Sequence, residues 1–363
     1  MIHIAKPLIG HREINAVNDV LRSGIIAQGP KVGQFEHEFA EYIGVDYAVA
    51  VNSGTSALYA SLLGHGIGKG DEVITTPFSF IATANMILAV GAVPVFADIL
   101  DDTFNISPDS ILENITPKTR AIIPVHLYGH PAQMDEIMKI ADDHDLSVIE
   151  DACQAHGAVY NGHKTGSFST ATFSFYPTKN MTTSEGGMVT TNDKTVADKI
   201  KMIRNHGSNE QYIHEIFGDN LRMTDIAAAI GIEQLKKLDE FNKARQENAR
   251  TLNKLLQGID GIITPSTSVN SIHVFHQYTI RVTREFSITR DELRMHLTKN
   301  GIGTGVYYPV PIHEQPFYQT LGYTSTIPVA QKAASEVLSL PVHPGLTEDD
   351  VRTVAAAIEQ NPR

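Results

Sequence analysis

Lys179 comes shortly after the β-prone run Thr172-Phe173-Ser174-Phe175. A lysine just beyond a buried strand loses part of its hydration. That favours the neutral amine, which can attack a carbonyl to form a Schiff base; a surface cation is the plainer use of the same residue. Asp151 ends the apolar run Ser147-Val148-Ile149-Glu150. A carboxylate there is either paired with a cation or contacts a ligand. Gln154 reaches the same ligand if a short turn or helix starts there. Ser53-Gly54-Thr55-Ser56 precedes an apolar helix. A helix N-terminus exposes unpaired N–H groups and the positive end of the dipole, and Gly54 lets backbone approach an anion, so a phosphate suits it. Ordinary Ser/Thr capping writes the same letters. Phe80 is either a core side chain or a face to stack on a flat ring. Together an anion seat, a strand-end carboxylate, a Schiff-base lysine and a stacking face match the needs of pyridoxal 5′-phosphate.

The segments that must position these residues alternate between strand and helix. Strand-like runs lie at 47–51, 72–76, 93–96, 121–125, 147–150, 172–175 and 187–191. Helical spacing marks 11–23 (Ile14, Val17, Leu21), a second helix through Phe35, Phe39 and Tyr42, and others at 57–63, up to Leu88, and at 134–144. This pattern predicts an α/β fold: a large domain with a mostly parallel seven-stranded sheet flanked by helices. Ligands in such sheets sit beyond the carboxyl ends of the strands, where the four chemical segments lie. A long helix is expected over 223–241. After it, strand 277–282 and helices 290–300 and 348–359 predict a smaller C-terminal α+β domain. The expected division is 1–241 for the large, cofactor-binding domain and 242–363 for the small one.

Composition narrows the function. Of 363 residues, 29 are Lys or Arg and 41 Asp or Glu, a net charge of −12. Nucleic-acid binding needs a basic face, and no run of five Lys/Arg exists. The single cysteine, Cys153, rules out an internal disulfide framework and a four-cysteine zinc site. A membrane span needs about 20 apolar residues. The longest mostly apolar stretch, 81–97, is interrupted by Thr83, Asn85 and Pro94. The first ten residues lack the pattern of a signal peptide. The expectation is a cytoplasmic enzyme without nucleic-acid, membrane or metal partners. Gly64 to Gly70 lacks the spacing of a dinucleotide or P-loop motif, and no G-x-S-x-G elbow occurs. His126 and His130 have a metal-like spacing, but in Pro124-Val-His-Leu-Tyr-Gly-His-Pro131 they read as a strand exit rather than one helix face.

Along nearly its whole length the chain resembles the DegT/DnrJ/StrS type of sugar-nucleotide aminotransferase, a pyridoxal-phosphate family of fold type I. The matching stretches are Val51-Asn-Ser-Gly-Thr-Ser-Ala-Leu58, Thr76-Pro-Phe-Ser-Phe-Ile-Ala-Thr83, Pro124 to Pro131, Glu150-Asp-Ala-Cys-Gln-Ala-His-Gly157, Phe173-Ser-Phe-Tyr-Pro-Thr-Lys-Asn180, Glu185-Gly-Gly187 and Asn220-Leu-Arg-Met-Thr-Asp225. Tyr308-Pro-Val-Pro-Ile-His313 is a weaker match. The departures are Cys153, where a small residue is usual, and Ser184, where glycine is common.

The resemblance implies that Lys179 carries the cofactor and shuttles a proton, and that Asp151 pairs with the ring nitrogen. Gln154 is implied at the ring hydroxyl and Phe80 on the ring face, with Gly54, Thr55, Ser56 and Ser174 at the phosphate. Asn220 is implied to reach the phosphate of a neighbouring subunit, which makes a homodimer with shared sites. Gln28, Arg222, Tyr308 and His313 are implied substrate contacts. The implied reaction passes an amino group from L-glutamate, through the pyridoxamine phosphate form, to a keto-sugar nucleotide. A 4-keto-6-deoxy hexose comes first as acceptor, with 3-keto or N-acetylated keto sugars as alternatives. The product is an amino sugar for a surface glycan such as lipopolysaccharide O-antigen, or for a natural product. A pyridoxal-phosphate-binding regulatory protein is the alternative class.

Overall fold

The computed structural model describes residues 1–360. Seven strands make the central sheet: β1 (Tyr47–Val51), β2 (Glu72–Thr75), β3 (Val93–Phe96), β4 (Thr119–Ile123), β5 (Ser147–Asp151), β6 (Thr170–Ser174) and β7 (Gly187–Thr191). Their order is β1-β7-β6-β5-β4-β2-β3. Only β7 runs antiparallel to its neighbours, β1 and β6. The other pairings are parallel. The carboxyl ends of β1, β2, β5 and β6 therefore share one edge, and β7 enters from it.

Strand alternation divides the core between the two faces. Ala48 and Ala50 of β1 and Phe173 of β6 pack with Phe35 and Phe39 of helix Pro30–Ile43. Val49 and Val51 point the other way, onto Ala57 and Ala60 of helix Gly54–Gly64 and Ile200 of helix Lys194–Arg204. Phe39 meets the Phe173 and Phe175 rings at centroid distances of 5.0 and 5.5 Å.

The PVHLYGHP segment is a structural fastening. Both His126 and Glu150 are fully buried, with His126 Nε2 2.9 Å from Glu150 Oε2. Glu150 also accepts the N–H groups of Gly166, Phe168 and Ser169. The Ala132 N–H donates to His126 Nδ1. Every polar valence at this junction is used, so His126 has nothing left for a metal.

One helical expectation is corrected. The helix expected over 223–241 is two helices, Asp225–Leu235 and Leu238–Leu256. The break at Lys236-Lys237 sends Leu238 into the core and brings Lys237 Nζ to Glu13, which is buried. In helix His11–Ser23 the apolar stripe faces outward: Ile14 and Leu21 are about half exposed, while Val20 and Glu13 are buried.

Beyond it, strands Ile262–Ile263, Tyr278–Val282 and Val337–Leu340 form a three-stranded antiparallel sheet. Helices Leu238–Leu256, Arg290–Lys299 and Glu348–Glu359 share its core. The proposed division at residue 242 falls inside helix Leu238–Leu256. Asn242 donates to the His156 carbonyl near β5, whereas Leu252 and Leu256 belong to the small sheet's core. One helix therefore ties the two parts together.

Candidate active site

A cavity of about 680 Å³ opens at the carboxyl edge of the sheet. Its walls bring together Gly54, Thr55, Phe80, Asp151, Gln154, Ser174, Lys179 and Tyr308. Ser53 caps helix Gly54–Gly64 by accepting the Ser56 N–H at 3.1 Å, which fixes the helix start against the cavity. Two glycines make this corner possible. A Cβ on Gly54 would lie 2.6 Å from Ser174 Cβ, and one on Gly187 would lie 2.3 Å from the Ser53 carbonyl oxygen. The helix start, β6 and β7 touch through backbone there, which only glycine allows.

Asp151 closes β5 and is 5% exposed. Its Oδ1 accepts the Cys153 N–H at 3.2 Å, and its Oδ2 accepts the Thr83 hydroxyl at 2.8 Å. Gln154 is held at both ends: Oε1 accepts the Tyr128 N–H at 2.9 Å, and Nε2 donates to the Tyr308 hydroxyl at 3.3 Å. Phe80 is 57% exposed at the cavity mouth, with the Tyr308 ring 6.5 Å away. Lys179 is partly buried, and its Nζ has no ion pair or side-chain hydrogen bond among the described residues. Burial pushes its ammonium below the usual lysine range, against the opposing pull of the Asp151 carboxylate. Burial also pushes the Cys153 thiol well up, so it is an apolar neighbour rather than a thiolate.

The chemistry of these donors fits pyridoxal 5′-phosphate. The lysine would hold its aldehyde, the buried carboxylate would pair with its ring nitrogen, and the helix N-terminus cradled by glycine would seat its phosphate.

The model of the DegT/DnrJ/EryC1/StrS aminotransferase family matches residues 7–359. The chain belongs to this family. It is thereby a pyridoxal-phosphate-dependent sugar aminotransferase. The chain is 42% identical to the dTDP-3-amino-3,4,6-trideoxy-alpha-D-glucose transaminase of Streptomyces venezuelae, over 95% of this chain and 90% of that one. It is 41% identical to the GDP-perosamine synthase of Caulobacter vibrioides, over 99% and 98%. The crystal structure of S. venezuelae DesV with a ketimine intermediate superposes with a TM-score of 0.92 at 42% identity, covering 96% of this chain and 93% of that one.

Other candidate residues of this family member lie outside the cavity of their own chain. Ser56 is turned aside, its hydroxyl donating to Asn52 Oδ1 at 2.6 Å. Gln28 and Asn220 are exposed. The Arg222 guanidinium donates to Asn205 Oδ1 at 2.6 Å. His313 is 1% exposed on the turn Ile312–Glu314, near Phe96, and neither ring nitrogen has a hydrogen-bond partner. Ser184 adopts φ 75°, the left-handed conformation that explains glycine as the common residue there.

Sequence reasoning missed three functional groups. Thr83 and Ser79 sit inside the matching stretch 76–83, but nothing in their spacing shows that Thr83 meets Asp151, 68 positions away. Asp225, at the end of another matching stretch, is 1% exposed and accepts the N–H groups of Gly29, Lys31 and Val32. It fixes the turn that carries Gln28. Among the described residues no group of His, Cys, Asp and Glu forms a metal site, and no helix is long and apolar enough to cross a membrane.

Proposed function

We propose that this chain transfers the amino group of L-glutamate to a nucleotide-linked keto sugar, a 4-keto-6-deoxy hexose in the first instance. The observation that carries the reading is Lys179: a partly buried lysine without an ion pair, sharing one cavity with the buried Asp151 carboxylate and the capped start of helix Gly54–Gly64. When bound, pyridoxal phosphate supplies an electron sink for the carbanion formed at the amino acid Cα. The chain's own residues do the rest. The Lys179 Nζ holds the cofactor, then takes and returns the Cα proton, a role its lowered basicity suits. Asp151 keeps the ring nitrogen protonated by charge. Gln154, immobilised by Tyr128 and Tyr308, orients the ring hydroxyl. Phe80 covers one ring face. Gly54, Thr55 and Ser174 seat the phosphate, with Ser56 completing the turn.

The site works as a homodimer. Asn220 of a second copy reaches the phosphate, and Gln28, Arg222 and Tyr308 serve the sugar nucleotide; His313, buried outside the cavity, is set aside as a contact. Exposure of Gln28 and Asn220, with Ile25, Ile26, Tyr212 and Phe217 exposed in the same loops, supports this reading. A 3-keto sugar is the second reading of the acceptor, favoured by the 3-amino sugar in the Streptomyces relative's name.

The test is spectral. Glutamate should abolish the visible band of the bound cofactor and release 2-oxoglutarate, and one keto-sugar nucleotide from a panel should restore it. A band indifferent to glutamate would refute the donor. Restoration by a simple keto acid but by no sugar nucleotide would refute the acceptor.

A further inference from the structure

Thr83 lies in the first turn of helix Ala82–Ala89 and is 1% exposed. Its hydroxyl carries one proton. The 2.8 Å contact to Asp151 Oδ2 is its shortest and goes to the strongest acceptor, so the proton is committed to the carboxylate. The Phe80 carbonyl, at 3.2 Å, is then only a secondary contact. Ser79 Oγ also lies 3.2 Å from Thr83 Oγ1. With the Thr83 proton spent, Ser79 is the donor and Thr83 the acceptor. The polarity of the chain is thereby fixed as Ser79 to Thr83 to Asp151. The Cys153 N–H holds the other carboxylate oxygen. No Lys, Arg or His forms an ion pair with Asp151 among the described residues. A buried carboxylate without a cation is costly, and neutral donors on both oxygens satisfy it and hold it in one plane.

We propose that Thr83 is a positioning residue for Asp151 and that Ser79 is the second link. The hydroxyl relay holds the carboxylate in the orientation in which it would pair with the cofactor's protonated ring nitrogen. Thr83 acts through Asp151, not on the substrate. This rests on the role given to Asp151 above.

The test loads the full-length protein with pyridoxal phosphate ¹⁵N-labelled in the ring. Thr83→Val keeps the shape and removes the donor. The ring-nitrogen resonance should move toward the unprotonated position. The glutamate half-reaction should slow by about 10-fold or more, as expected for loss of a hydrogen bond to a charged group, with the half-saturating glutamate concentration unchanged. Thr83→Ser, which keeps the hydroxyl, should restore both the resonance and the rate. Ser79→Ala should shift both in the same direction by about 3-fold, the lesser effect of one more neutral link. It carries the test if Thr83→Val does not fold. A wild-type rate and resonance in Thr83→Val would overturn the proposal. So would Thr83→Ser behaving like Thr83→Val, since the methyl group would then be what counts. An unprotonated ring in the wild-type protein would overturn the role of Asp151 and the relay with it. A protonated ring that ignores glutamate would instead refute the donor and leave the relay standing.

Discussion

The cavity at the strand ends and the loops bearing Gln28 and Asn220 are held by the same means and finish differently. In the cavity, fixed backbone presents side chains to one another: Asp151 meets Thr83, and Gln154 meets Tyr128 and Tyr308. In the loops, comparable buried polar groups hold the backbone alone. Asp225 gathers three N–H groups around Gly29. Arg204 is clamped between Glu36 and the Ala50 carbonyl, and its own carbonyl accepts the Leu221 N–H. Yet the Gln28 and Asn220 side chains end in solvent. Exposed side chains on backbone fixed in this way are what the proposed shared site requires. In the proposed homodimer the reacting groups would come from one chain, and the phosphate and substrate seats would be completed by a second.

The largest expected break in that contrast is Lys179→Ala. Losing the attachment and the proton carrier together should depress both half-reactions by at least about 10²- to 10⁴-fold, measured by single-turnover absorbance. Asp151→Asn comes next, lowering the rate per bound cofactor more than cofactor retention. It also carries a pH signature. The Asp151 charge favours the Lys179 ammonium, so removing it should lower the lysine's pKa further. Capture of pyridoxal phosphate by the apoprotein should then begin at lower pH than in wild type, read from absorbance growth across a pH series. An unchanged midpoint would mean the two groups do not interact.

Asn220→Ala should weaken cofactor retention by about 10-fold, the scale of one hydrogen bond to a charged group. Its sharper use is in mixture. Equal amounts of Asn220→Ala and Lys179→Ala chains, reassorted at random and assayed with cofactor too dilute to fill Asn220→Ala homodimers, should recover about one quarter of wild-type activity. Half the dimers are mixed, and each mixed dimer has one of its two sites intact. No recovery in verified mixed dimers would mean each chain works alone. The smallest effect is expected for Asp225→Ala: about 1–3 kcal/mol of stability by denaturant titration, from unpaired N–H groups at the start of helix Pro30–Ile43. The glutamate half-reaction should be almost untouched.

Much of the cavity was legible because its parts are local. A strand end, a capped helix start and a lysine each leave a mark within a few residues, and all seven strands of the sheet lie where β-prone runs predict them. The relay from Thr83 to Asp151 was not legible, because it joins the loops after β2 and β5, and sequence spacing carries no trace of that distance. The direction that helix His11–Ser23 faces was not legible for a related reason. Periodicity finds an apolar stripe but not what covers it, and here Ile14 and Leu21 remain exposed while Glu13 is buried against Lys237 and Gln234. The break at Lys236-Lys237 was hidden because neither Gly nor Pro marks it: two lysines, both good helix formers, join the apolar helix Asp225–Leu235 to the amphipathic helix Leu238–Leu256.

The central claim is that Lys179, and no other lysine, carries the cofactor in this cavity. Borohydride reduction of the loaded protein followed by peptide mass spectrometry tests it most directly. The account predicts a phosphopyridoxyl group on the peptide containing Lys179, and none after prior conversion with glutamate. A tag on a different lysine, or a coloured protein that reduction leaves untagged, would contradict it.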